Sequence, residues 1–259
     1  MTLSRVGIFL CTALALLISG CATTSTTSSQ AASSNPNTLR VGVATDLPPL
    51  IFKSEGQFKG MEADFARALA ADLGKTLQFV EVPWEKLTDA LLDNKIDIIM
   101  SGMTITQARL MRVNFTKPYI QSGQTILVRR SDSALIQMTL FDPKTRVGAQ
   151  SATTGDYWVL QNCSRSDRKL YSTAQEGAKA LISKKLDAFV CDAPVNWWLA
   201  SEYEAQGLTV VGGYLTEEYL AWAIRKEDSG LLESANTFID KIKEDGELQS
   251  IIKTWVPYQ

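Results

Sequence analysis

Between residues 39 and 100, three short apolar runs alternate with two stretches of helical spacing, and few folds accommodate that alternation. Residues 39–44 alternate like a strand. Residues 61–73 place Phe65, Leu69 and Leu73 on one helical face, with Gly74 as the stop. Residues 77–82 read as the next strand, and Trp84, Leu87 and Leu91 again repeat at helical spacing. Asp93-Asn94-Lys95 then turns the chain into Ile96, Ile98, Ile99 and Met100, a run short and β-branched enough for a buried strand. A βαβαβ order implies a parallel sheet with right-handed crossovers, an α/β fold. Ligands in such sheets lie beyond the carboxyl ends of the strands, an edge that here gathers Asp46, Leu47, Trp84 and residues 101–109.

The pattern then repeats. Residues 124–130 read as a strand leaving the first lobe, followed by a strand at 146–149, a helix from about Thr153 and a strand near Leu170-Tyr171. A helix at 174–183 and a strand at 188–191 complete the second set, with a further helix at 195–203 and strands at 209–212 and 219–224. Residues 229–255 have helical spacing and return to the first lobe. The expected domains are therefore lobe 1, from 38–126 and 225–259, and lobe 2, from 127–224. Extended segments near 124–130 and 219–226 would form the hinge.

Each lobe carries polar residues where a strand opens into a helix. Ser101-Gly102 allows a sharp turn, Thr104 and Thr106 are candidate N-caps, and Arg109 falls in the first helical turn. A guanidinium beside unpaired amide donors suits a carboxylate, which it grips with two parallel bonds. Gln150, Ser151, Ala152, Thr153 and Thr154 repeat the device in the second lobe. Asp192 ends the strand 188–191 at the same edge, across the cleft from Arg109, so two opposite charges stand at a zwitterion's separation. Pro194 after it also fits an ordinary helix N-cap. Asp46 either meets a cationic group or caps its own turn.

Composition removes several chemistries. The chain has no histidine, which takes away the commonest general base and zinc ligand. A net charge of −2 gives no basic footprint for nucleic acid. No metal or cofactor is expected, and the chain is expected to be a monomer. Residues 1–20 read as an export signal, with Arg5 before an apolar run too short to span a bilayer. Residues 21–37 are rich in Thr, Ser and Ala and read as a flexible tether. Cys163 and Cys191 are expected as two thiols, since by helix rise they lie about 15 Å apart.

The segment Gly102-Met103-Thr104-Ile105-Thr106, with Arg109, Val113-Asn114-Phe115 and Pro118-Tyr119, resembles the signature of the bacterial extracellular solute-binding proteins of the polar amino-acid type. These are receptors of ABC importers, and the likeness runs over nearly everything after residue 38. It implies a type II periplasmic-binding-protein-like fold: two lobes, each a mainly parallel sheet flanked by helices, joined by two hinge strands. It also implies an amino acid held between the lobes by Ser101, Gly102, Thr104, Arg109, Gln150, Thr153, Thr154 and Asp192, with Asp192 taking the α-ammonium. Trp84 matches an aromatic that packs on the ligand, though it equally suits a core anchor. Leu47 stands where relatives often carry a second aromatic. Asn114 replaces the usual Asp. Gly148, Thr153 and Thr154 match a V-G-V-x-x-G-T-T segment in which Ala152 replaces Gly, which predicts a negative φ at Ala152.

Ile18-Ser19-Gly20-Cys21 resembles a bacterial lipobox, which would lipidate Cys21 and hold the chain on a membrane in the periplasm or at the cell surface. The expected partners are the amino acid, an importer permease and that membrane. Two alternatives share the fold. The short Asp46 loop is reminiscent of exported cyclohexadienyl dehydratases, for which Asp46, Glu81, Asp192 or Glu217 would have to supply the acid or base. The other is a sensor that hands its closed form to a membrane signalling protein.

Overall fold

The computed structural model describes residues 36–257. The expected export signal, Cys21 and nearly all of the 21–37 tether lie outside the described residues. Lobe 1 opens with β1 (Thr38–Val43) and a small antiparallel sheet of β2 (Asp46–Leu47), β3 (Ile51–Ser54) and β4 (Gln57–Lys59). Glu55 and Gly56 between β3 and β4 have φ of 54° and 75°, the backbone of a two-residue hairpin turn. Then come α1 (Met61–Asp72), β5 (Thr76–Glu81), a 3-10 turn at Trp84–Lys86, α2 (Leu87–Leu92), β6 (Ile98–Ile99), α3 (Gln107–Leu110) and β7 (Asn114–Phe115). The strand β8 (Ile120–Ser122) leads to the second lobe.

Lobe 2 contains β9 (Gln124–Arg129), α4 (Ser133–Thr139), β10 (Arg146–Gln150), α5 (Thr154–Asn162) and β11 (Asp167–Tyr171). It continues with α6 (Ala174–Ile182), β12 (Ala188–Asp192), α7 (Ala193–Glu202) and β13 (Leu208–Val211). The chain returns through β14 (Glu218–Leu220) to β15 (Ala223–Ile224), and α8 (Ser229–Glu244) and α9 (Glu247–Trp255) pack on α1.

The two main sheets have matching order, β5-β1-β6-β15-β7 and β11-β10-β12-β9-β13. In each, three parallel strands meet a fourth that runs antiparallel to the third, and a fifth antiparallel to the fourth. The expected lobe boundaries at 126/127 and 224/225 shift in the sheets, because the first cuts through β9 and the second leaves β15 with lobe 2. β9 is buried along its whole length between β12 and β13, so Gln124 already belongs to lobe 2. β15 lies in the first sheet beside β6. The crossing strands are β8 and β14, paired antiparallel through Ser122 and Glu218, Gln121 and Tyr219, and Ile120 and Leu220.

An equivalent arginine–aspartate fork fixes the amino end of each parallel run. The Arg40 side chain grips both oxygens of Asp97 (Nε 3.1 Å, Nη2 2.5 Å) and donates to the Asn94 carbonyl. In lobe 2, Arg146 grips Asp187 in the same way (Nε 2.8 Å, Nη2 2.6 Å) and donates to the Lys184 carbonyl. A second arginine, at the far end of the antiparallel strand, ties off the preceding helix. Arg225 donates to the Leu91 and Ile96 carbonyls and pairs with Asp228, while Arg129 donates to those of Leu181 and Leu186 and pairs with Asp132. Bidentate geometry and burial make these among the stronger ion pairs available to a fold.

The lobe 1 core centres on Trp222, fully buried, with the rings of Phe65, Tyr119 and Phe238 at 5.8, 5.7 and 6.1 Å. Trp222 is thus a core residue. Cys163 and Cys191 are both buried and unbridged.

Candidate functional site

The carboxyl ends of both parallel runs face each other across one narrow cleft. Leu47, Trp84, Gly102, Thr104 and Arg109 line it from lobe 1, and Gln150, Thr153, Thr154 and Asp192 from lobe 2. The two walls stand almost in contact, and the cavity between them is only about 10 Å³, so the cleft is nearly shut. Two wider depressions lie against the hinge strands, but each is lined by a single charged residue, Lys243 or Glu217, and neither opposes two charges.

Arg109 is set by its own turn. Thr106 caps α3 by accepting from the Arg109 amide at 3.2 Å, and the Arg109 Nη1 donates to the Thr104 carbonyl at 2.8 Å. Its guanidinium lies 5.3 Å from the Trp84 ring centre, a cation–π contact. Burial lowers the Arg109 pKa, and the charges of Asp192 and Glu218 work against that shift. The Trp84 indole N–H reaches across the cleft to the Ala152 carbonyl at 3.1 Å, so the two lobes touch at this point.

On the facing wall, Thr153 caps α5 by accepting from the Asp156 amide, and its own hydroxyl donates to the Gln150 carbonyl at 2.7 Å. The Gln150 side-chain amide donates to the Ser172 carbonyl. Asp192 begins α7 but makes no side-chain cap bond. Its Oδ1 instead accepts from Gln124 Nε2 at 2.7 Å. Burial and the neighbouring Glu218 charge push the Asp192 carboxyl well above the usual range, while Gln124 and Arg109 hold it down.

Two expected site residues lie off the cavity lining. Ser101 is buried and accepts from the Ala44 amide at 3.0 Å, which ties the turn to β1. Asp46 sits half-buried on β2, where burial and then the charges of Glu85, Glu176 and Glu81 raise its pKa. Three local expectations change. The Gly102 amide is not open to an anion, because it donates to Glu62 Oε1 at 2.6 Å. Thr104 does not cap a helix: it bridges to Leu220, and its hydroxyl donates to Glu218 Oε2 at 2.8 Å. Ala152 has φ of +60°, not a negative value, because Asp156 Oδ2 accepts its amide and Trp84 holds its carbonyl.

Sequence reasoning missed three residues behind the site. Gln124 and Glu218, both almost fully buried, stand behind the cavity lining on β9 and β14, and Gln124 bonds to the lining residue Asp192. The alternative named Glu217, but strand alternation turns that side chain outward to Gln121 and the Tyr219 hydroxyl and turns Glu218 inward. The third is Glu62, fully buried in α1, which accepts from the Gly102 amide, the Tyr119 hydroxyl (2.7 Å) and the Trp222 indole (3.0 Å). Burial pushes its carboxyl up to about 7 against those donors.

The family model for bacterial extracellular solute-binding proteins, family 3, matches residues 39–258. The L-cystine-binding protein of Escherichia coli is 28% identical over 220 residues, covering 84% of this chain and 82% of that one. Among solved structures, an ancestral amino acid-binding protein that is a precursor of cyclohexadienyl dehydratase has a TM-score of 0.78 at 36% identity, covering 85% and 95% of the two chains. An ancestral arginine-binding protein bound to arginine has a TM-score of 0.80 at 32% identity, covering 85% and 98%.

Proposed function

Since the chain belongs to the bacterial extracellular solute-binding proteins of family 3, we propose that it is a receptor that closes on one α-amino acid and delivers it to an ABC importer. The observation that carries this is the single cavity lined from opposite lobes by Arg109 and Asp192. In this reading Arg109 takes the α-carboxylate, Asp192 the α-ammonium, and Thr104, Thr153, Thr154 and Gln150 fix the orientation. Trp84 and Leu47 cover the apolar stem of the side chain.

A cationic side chain fits best. Asp46 lies off the cavity lining beside Leu47, its pKa raised first by burial and then by the charges of Glu85, Glu176 and Glu81, and a cationic side chain reaching past Leu47 would relieve that acidic surround. The arginine-bound relative supports the same choice. Lipidation at Cys21 would hold the receptor at the membrane surface, and among the described residues no helix is long and apolar enough to cross a membrane.

A thermal-shift screen over the amino acids, followed by calorimetry with L-arginine, tests the proposal. Arg109→Ala removes a paired, charge-assisted contact and should cost at least about 3 kcal/mol, more than a hundredfold in Kd. Equal affinity in wild type and Arg109→Ala would refute the site. Incubation with prephenate or arogenate separates the receptor from the dehydratase alternative, and the receptor yields no aromatic product.

A further inference from the structure

A buried carboxylate directly behind the cavity lining is left unused by the amino-acid reading. Glu218 stands there on the hinge strand β14 and is fastened from both lobes. Its Oε2 accepts from Thr104 Oγ1 in lobe 1 (2.8 Å) and from Thr154 Oγ1 in lobe 2 (3.0 Å), and its Oε1 accepts from Thr216 Oγ1 (2.9 Å). One amide bridges it to Asp192: Gln124 Nε2 lies 2.7 Å from Asp192 Oδ1 and 3.3 Å from Glu218 Oε2, so those two oxygens are within about 6 Å of each other. Both residues are almost fully buried, at 8% and 7% exposure.

We propose that Glu218 is a binding residue of this cleft, forming with Asp192 a carboxyl pair that shares one proton in the unliganded protein and releases it when an ammonium group enters. The proposal rests on the amino-acid receptor reading. Two anions this close and this dry do not both stay ionised while a single guanidinium faces them. The ligand's ammonium supplies the missing positive charge. The pair's proton then leaves to solvent, and both carboxylates accept N–H bonds from the ligand.

The other groups around the two carboxyls do not compete for the proton. Arg109 faces it from α3 and stays charged. Cys191, beside Asp192 on β12, and Tyr119, from lobe 1, are pushed well up by burial and stay neutral. Thr104, Thr154, Thr216 and Gln124 complete the shell without titrating. The desolvation and Glu218 charge that raise the Asp192 carboxyl agree with this geometry. Glu62 also titrates near 7, but it lies beyond Tyr119 in the lobe 1 core.

Calorimetric titration of L-arginine into the protein at pH 7, in phosphate and in Tris, counts released protons from the difference in apparent enthalpy. Wild type should release about half to one proton per ligand, and affinity should rise up to about tenfold per pH unit below the pair's titration. In Glu218→Gln, Asp192 ionises without ligand, so release should fall near zero and the pH dependence should flatten. Carbon-13 carboxyl NMR of the unliganded protein gives a ligand-independent reading. Wild type should show the Asp192 carboxyl titrating near neutrality, and Glu218→Gln should return it towards the ordinary range while the Glu62 step persists. L-arginine binding without proton release, or an Asp192 titration unmoved by Glu218→Gln, overturns the pair. Failure of L-arginine to bind while the NMR shows the shared step sinks the cationic-ligand assignment and leaves the pair standing.

Discussion

Ala152→Gly should stabilise this protein, against the usual direction of an alanine-to-glycine change. Ala152 occupies the left-handed region, with φ of +60°. An L-residue with a Cβ pays about 1–2 kcal/mol there. The surroundings hold it in place: Asp156 Oδ2 accepts its amide, Arg168 fixes Asp156 at 2.6 Å, and Trp84 donates to its carbonyl. Glycine adopts this φ freely, but its looser unfolded chain returns about 0.4–1 kcal/mol. The net gain is about 0.5–1 kcal/mol, or roughly 1–4 °C in Tm for a chain of this size. Thermal unfolding followed by circular dichroism measures it, with Ala71→Gly as the control. Ala71 is exposed near the end of α1, where glycine should cost up to about 1 kcal/mol. If Ala152→Gly melts below wild type as Ala71→Gly does, the left-handed turn stores no strain and the argument fails.

Three other changes probe the frame around the cleft. Trp84→Phe keeps a ring beside Arg109 but loses the indole bond to the Ala152 carbonyl. It should move the open–closed balance by about 0.5–1.5 kcal/mol, and an unchanged inter-lobe distance distribution by fluorescence transfer would count against it. Glu62→Ala strands three buried donors, on Gly102, Tyr119 and Trp222, and should cost more than about 3 kcal/mol in urea unfolding. A loss under 1 kcal/mol would show that they find other acceptors. Asp187 is held below its ordinary pKa, first by the Arg146 hydrogen bonds. Its stabilisation is therefore present above the ordinary carboxyl range and lost as pH falls through it. Asp187→Asn should lower the urea midpoint at pH 7 and flatten the fall between pH 5 and 3; an equally steep acid limb would exclude this pair as its cause.

What the sequence revealed follows the range of the interactions involved. Strands and helices within each βαβ unit depend on spacing over a few residues, and β1, β5, β6 and β10 to β12 lie close to where that spacing put them. The place of Arg109 and Asp192 at the cavity was legible for the same reason, since Asp192 ends β12 and Arg109 lies in the helical turn that follows β6, both at the carboxyl edge where cavities form. Glu218 was not. In Glu217-Glu218, only the register of β14 on β8 decides which side chain points inward, and the partner strand is about a hundred residues earlier. The φ of Ala152 was misread because local preference favours a negative value, and contacts with Asp156 and Trp84 override it. The Gly102 amide was assigned to a ligand because nothing in residues 101–109 announces Glu62, on a different helix.

The arginine forks also divide the labour within each lobe. Arg40 and Arg225 clasp lobe 1, and Arg146 and Arg129 clasp lobe 2, all at the end of the sheet remote from the ligand cavity. What holds each sheet together is thus a full strand's length away from the residues that would meet a solute. Substitutions among Leu47, Trp84, Gln150 or Thr154 can retune what the pocket accepts without touching those clasps, which leaves such a scaffold free to diversify its cargo while its architecture stays put.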